Sequence, residues 1–410
     1  MKTLLKSALI LDPASVLHGK RRDILIQNGK ITELASDIDE SNVKTIASKG
    51  LCVSPGWIDL KANFCEPGFE FKENLRSGID AATRGGFKSV VLMPSTLPVV
   101  DGKSGIEFVQ MRTSKSAVRI LQTGALSEKM EGKQLSEMFD MFSAGAIAFT
   151  DDKNNVSTEL MSRALEYSKN FGGLVMSFPY DRGVSSHGQI NEGNASVSLG
   201  MKGIPNVSEE MRIQRDIELL RYHGGRLHFN LISTSRSVDM IRKAKREGLN
   251  VTCAIAAHQL SFLDEDLKTF DTNLKVLPPF RTREDRKALI QGLKDNTIDA
   301  ICSDHTPEDV EHKVREFEDA SFGVSGIETA FCSAWSALEK SMSIDEVIAK
   351  FTAGPAMVLG ETLGGISVGY DKGITVFSTD ENTLFSKETW KSKSSNNPFI
   401  TKELRGRVYL

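Results

Sequence analysis

The sequence predicts an α/β protein, a (β/α)8 TIM-like barrel plus a small β-sandwich domain built from both termini. Short apolar runs alternate with amphipathic helical stretches eight times through the middle of the chain, the first fifty residues read as strands, and strand-like text returns after about residue 355. The expected division is a barrel over 53–355 and a composite β domain from 1–52 and 356–410. Eight parallel strands need helices to cover them, while strands at the two chain ends have each other to pair with.

The opening LLKSALIL alternates, and DILIQ and KITEL flank Asn28-Gly29, a pair that supplies the positive φ angles of a type I′ hairpin. The barrel strands expected in order are CVSPGWIDLKA, FKSVVLMPS, VRILQTGAL, GAIAFTDD, GGLVMSF, RLHFNLIST, LNVTCAIAA and IDAICSD. Between them lie helical stretches such as ENLRSGIDAATRGG, SEEMRIQRDIELLRYHGG and REDRKALIQGLKD. Several of these stretches close on glycine, which a left-handed C-cap favours. The tail GGISVGYDKGITVFSTD is expected to pair with the N-terminal strands. In a barrel of this kind the chemistry belongs at the C-terminal ends of the strands.

With 410 residues, 40% of them hydrophobic, the chain can bury a large core. A net charge of −3 without a basic cluster lacks the footprint that phosphate backbones or anionic membranes require, so neither is an expected partner. Five scattered cysteines with no CxxC pair argue against a disulfide framework and a thiolate zinc clip. Nothing at the N-terminus reads as a leader and no apolar run reaches membrane length, so the expected compartment is the cytoplasm.

Residues 54–68 read SPGWIDLKANFCEPG and run on into FEFKENLRSGIDAATRGGFKSVVLMPST. This text resembles the dihydroorotases of the amidohydrolase superfamily, hydrolases of pyrimidine biosynthesis whose first barrel strand reads PGxxDxHxHxREPG and whose second ends in MPNT. The resemblance continues through AFTDD, NEGNASVSLGMKGIP, DTNLKVLPPFRTREDR, TIDAICSDHTP and FGVSGIETA, and so spans essentially the whole chain. It implies the barrel and the split β domain. It also implies a mouth where one or two divalent ions, zinc in active relatives, make hydroxide and polarise a ring amide.

By resemblance the metal positions of this chain are Lys61, Asn63, Asp151 (or its neighbour Asp152), Phe178, Leu231 and Asp304. No histidine stands among them, and Asp304 is a vestigial general base. The substrate positions hold Cys65 in place of an arginine, Ser95 and Leu277 in place of asparagines, and Glu308 in place of a histidine. A protonated lysine cannot ligate a cation, two carboxylates make a weak zinc site, and this set offers poor donors to a dianionic substrate. The expected cofactor is none.

Lys61 has two readings, a desolvated nucleophile or a fixed cation that offsets Asp151 and Asp304. The second is favoured, because facing carboxylates repel unless something neutralises them. His305 is expected to point away from Asp304 and to pack or cap, and His258 is read in the same way. His228, three residues before Leu231, falls on the opposite strand face. A thiolate site from Cys65, Cys253 and Cys302 with Asp304 has no spacing in its favour. Residues 185–205, rich in Gly and Ser, read as a solvated loop over the mouth, an active-site cover or a partner contact.

Two functions follow. The first is a catalytically inactive, dihydroorotase-like pseudoenzyme with a structural or regulatory role; the resemblance suggests aspartate transcarbamoylase as its partner and a homodimer as its assembly. The second is an active dihydroorotase, or another cyclic-amide hydrolase, with a rebuilt metal site. A small-molecule sensor that keeps the pocket is a third reading.

Overall fold

A computed structural model describes residues 2–409. The N-terminal strands are β1 (Lys2–Ile10), β2 (Arg21–Gln27), β3 (Lys30–Ala35), β4 (Lys44–Ile46) and β5 (Leu51–Pro55). The barrel begins with β6 (Trp57–Ala62), β7 (Phe87–Leu92), β8 (Arg119–Gln122) and β9 (Leu174–Ser177). A loop pair, β10 (Ile190–Asn191) and β11 (Gly203–Ile204), precedes β12 (Arg226–Phe229), β13 (Val251–Ala256) and β14 (Ala300–Cys302), and the tail supplies β15 (Ile374–Leu384) and β16 (Glu403–Val408).

Both chain ends enter one mixed sheet of order β16-β15-β5-β1-β2-β3, with β4 alongside β1. The hairpin between β2 and β3 turns on Asn28 at φ 52° and Gly29 at φ 79°, the left-handed pair read from the sequence. One face of this sheet buries Leu5, Ile24, Val53 and Val376 in a core of their own. Among its free edges, β16 is tied to the barrel: Arg405 N donates to Ser336 Oγ (2.8 Å) on the helix Ala330–Leu338.

The barrel is built from two parallel runs, β6-β7-β8 and β9-β12-β13-β14. Residues 146–150, the expected fourth strand, fill the gap without forming a ladder. Phe149 bridges Gly124 on one side and Val175 on the other, and Ile147 N donates to Gln122 O while Met176 N donates to Phe149 O. Left-handed Gly145 and Asp152 bracket this segment. The second seam closes through a bridge between Ala62 and His305.

Two apolar layers follow from strand alternation. Ile58, Leu60, Val91, Met176, Ala254 and Ala300 fill the interior, while Val90, Val175, Phe229, Cys253 and Ile255 pack outward against the helices. The helix Leu75–Gly85 shows how the sequence sets the ends: Asn74 caps it, and Gly86 at φ 89° closes it. Trp57 joins barrel to tail, its ring centroid lying 4.7 Å from Phe331, 5.2 Å from Phe377 and 5.6 Å from Phe351.

Residues 185–205 are not a solvated loop. Ile190 and Ile204 are buried, and the buried Arg281 donates to Asn191 Oδ1 and Ile204 O, both at 2.8 Å. A second strap, residues 390–397, crosses the end of the barrel. Buried Glu73 accepts from Ser392 Oγ, and Asn396 Oδ1 accepts from Glu308 N (3.1 Å) and Ser325 Oγ (2.5 Å).

Candidate functional site

Ile58 and Leu60 point into the barrel, so strict alternation would turn Lys61 outward. A shift in register between Asp59 and Ala62 against β7 acts as a bulge and brings Lys61 inside as well. Its side chain is fully buried. The ammonium donates to Asp304 Oδ1 at 2.7 Å and lies 3.8 Å from Asp152 Oδ1. Burial alone would lower the Lys61 pKa, but the attraction of Asp304 and Asp152 outweighs it and holds the pKa above the usual lysine value.

Asp304 follows β14 in a left-handed conformation, φ 48°, that swings its carboxylate over the mouth. Burial works to raise its pKa; Lys61, Lys153 and His258 outweigh that and hold it below the usual carboxylate range. Asp152 is also left-handed, φ 47°, and its Oδ2 accepts from Ser95 Oγ at 2.9 Å. Ser95 Oγ lies 3.3 Å from Asn63 Oδ1 as well, so one hydroxyl connects the ends of the first, second and fourth strands.

Two further residues stand near this group: His258, which was expected to pack away from Asp304 and instead faces it, and Lys153, which the sequence reading did not name. His258 opens the turn after β13, with Nε2 3.9 Å from Asp304 Oδ2 and its ring edge-on to Phe280. Burial pushes its pKa down to about 4, so the ring is neutral at pH 7. Lys153 feels Lys61, Asp304 and Asp152, and its pKa is lowered by burial and then by Lys61. Position was the available signal, since both residues follow the C-terminal end of a barrel strand.

Other expectations need correction. Asp151 is not at the mouth. Its Oδ1 accepts from Leu126 N (2.9 Å) and Ser127 N (2.8 Å), and its Oδ2 accepts from Ser127 Oγ, so it braces the neighbouring loop while Asp152 faces Lys61. His228 lies on the interior face, because Leu227 and Phe229 point outward, and its Nδ1 meets Thr252 Oγ1 at 2.8 Å low in the barrel. His305 does pack, with Nε2 3.4 Å from buried Glu73. The three cysteines do not converge: Cys253 belongs to the outer layer and Cys302 to the interior. Burial pushes the Cys65 thiol up to about 12 and raises the other two as well.

The substrate positions offer few free donors. Leu277 packs in the same apolar cluster as Phe178 and Leu231, Cys65 is buried at φ 59°, and Glu308 Oε2 pairs with Lys72 at 2.8 Å. Nor do the metal positions fit zinc, which needs three or four N, S or O ligands around one point. Phe178 and Leu231 present hydrocarbon, Lys61 presents an ammonium, and Asn63 is engaged by Ser95. Among the described residues, one group of three such side chains converges within 4.8 Å, Glu308, Asp309 and His312, and none of the three touches Lys61 or Asp304.

Comparison with known proteins gives a consistent picture. The family model described as dihydro-orotase-like matches residues 50–237. A dihydroorotase of Syntrophus aciditrophicus (strain SB) is 38% identical over 415 residues, covering 100% of this chain and 97% of the relative. One from Acetivibrio thermocellus is 39% identical over 410 residues, covering 99% and 96%. Among solved structures, the L-hydantoinase (dihydropyrimidinase) of Arthrobacter aurescens superposes with a TM-score of 0.84 at 20% identity, covering 99% of this chain and 93% of that one. The dihydropyrimidinase of Brevibacillus agri NCHU1002 gives 0.81 at 20%, covering 100% and 93%. At that identity the likeness speaks for the fold, a TIM barrel with a β-sandwich domain.

Proposed function

We propose, from the premise that this chain belongs to the dihydroorotase family of the amidohydrolase superfamily, that it is a catalytically inactive member serving pyrimidine biosynthesis as a structural or regulatory subunit. The observation that carries this reading is the Lys61–Asp304 contact of 2.7 Å, a protonated amine where the family's chemistry calls for a Lewis acid. Without a metal, nothing at the mouth lowers the pKa of water or polarises a ring amide. Phe178, Leu231 and Leu277 supply apolar contact where a dianionic substrate needs donors. The retained barrel then serves as a surface, with aspartate transcarbamoylase as the partner and a homodimer as the assembly.

A second reading, an active cyclic-amide hydrolase with a rebuilt site, draws on one observation. Asp152 Oδ1, Asp304 Oδ2 and both ring nitrogens of His258 are buried without hydrogen-bond partners, as groups awaiting a ligand would be. One assay separates the two. Purified chain with excess zinc and dihydroorotate or carbamoyl aspartate is expected to show no conversion above the enzyme-free control, while an active relative turns over alongside it. Zinc-dependent turnover would end the first reading. Mixed with the transcarbamoylase of the same organism, the chain is expected to co-elute on size exclusion, and independent elution removes that partner.

A further inference from the structure

The family's barrel mouth is arranged around a divalent ion, and the residues here do not accept one; we propose that Lys61 is itself the cation around which this mouth is built, making it a closed ion cluster independent of metal. The Lys61 ammonium already stands between the two carboxylates, 2.7 Å from Asp304 Oδ1 and 3.8 Å from Asp152 Oδ1, before any ion arrives. Zinc would bring a second cation into a buried setting that already holds an ammonium. To reach Asp304 Oδ1 it would also have to displace an ammonium already 2.7 Å away.

The two carboxylates are held for a cation in one place. Ser95 Oγ fixes Asp152 at 2.9 Å, and Thr306 Oγ1 reaches Asp304 Oδ1 at 3.3 Å. Lys61 is 0% exposed, so no water screens its charge, and removing it would leave Asp304 fully buried without its principal counter-charge. The inference shares with the proposed function the lack of a divalent ion, but its test does not pass through activity.

The test is a double-mutant cycle on the full chain, with Lys61→Met, Asp304→Asn and the pair together, read by thermal unfolding with and without EDTA. Each single variant is expected to lower the Tm by roughly 5 °C or more. The double variant recovers at least half of the summed loss, and the wild-type Tm does not respond to chelator or to added zinc. Additive losses, or a Lys61→Met chain as stable as wild type, would overturn the inference. A single variant that fails to fold while the double folds supports it, being the same non-additivity in stronger form. Should every Lys61→Met chain fail, wild-type protein soaked in zinc and desalted decides the matter: it is expected to come out metal-free, and stoichiometric zinc abolished by Asp304→Asn overturns the inference. Turnover of dihydroorotate with the coupling intact would refute the inactive-subunit reading alone, and lost coupling in an inactive chain would refute the ion cluster alone.

Discussion

His228 shows how a buried ring couples stability to pH without taking part in any site. Burial pushes its pKa down to about 3, so the folded protein keeps it neutral while the unfolded chain takes up a proton below about pH 6.5. The unfolded state then binds more protons, and the stability this residue contributes at neutral pH is lost progressively as the pH falls from about 6.5 toward 3. Urea melts should show the wild type losing about 2 kcal/mol more between pH 7 and pH 5 than a His228→Gln variant; parallel curves for the two would show that the ring is protonated in the fold. The sequence named this histidine but put it on the wrong face, and it preferred Asp151 to Asp152. Both slips have one physical source. Alternation holds along a regular strand, but Cys65, Asp152, Leu231 and Asp304 all adopt φ between 47° and 59°, and a left-handed residue resets which way its neighbours point. Leu231 accepts that conformation at roughly 1–2 kcal/mol.

The elements that frame the mouth are legible to different degrees. Helices with an Asn, Thr or Ser cap stand out because cap chemistry and apolar period agree, and Leu75–Gly85 adds a closing glycine. The bulge in β6 does not, since nothing in WIDLKA marks which residue is the extra one. The strap at 390–397 was likewise invisible, because its stability comes from hydrogen bonds to residues that lie 63 to 323 positions away in the chain. Asn396 accepts from Glu308 N and Ser325 Oγ and donates to Thr306 O. Asn396→Ala is expected to cost about 2–3 kcal/mol in chemical denaturation and to speed amide exchange across residues 306–325. Unchanged exchange there would mean the strap does not hold the loop.

At the scale of the molecule, the eightfold alternation and the β-rich ends gave the architecture correctly, because patterning and connection rules leave few alternatives. What patterning could not convey is how fully the two parts share a core. Phe377 of the tail and Cys52 of the N-terminal sheet lie in the same apolar cluster as the barrel's outer layer. The whole chain is therefore expected to unfold in a single calorimetric transition, and two resolved peaks would show the β domain to be an independent unit. The sheet joins Pro55 to Ile374 in direct register. A ribosome adding about 5–20 residues per second needs roughly 20–60 s to deliver the second of these after the first. For that interval β5 waits with the edge meant for β15 unpaired, and a nascent chain in that condition is a natural client for a chaperone that masks strand edges.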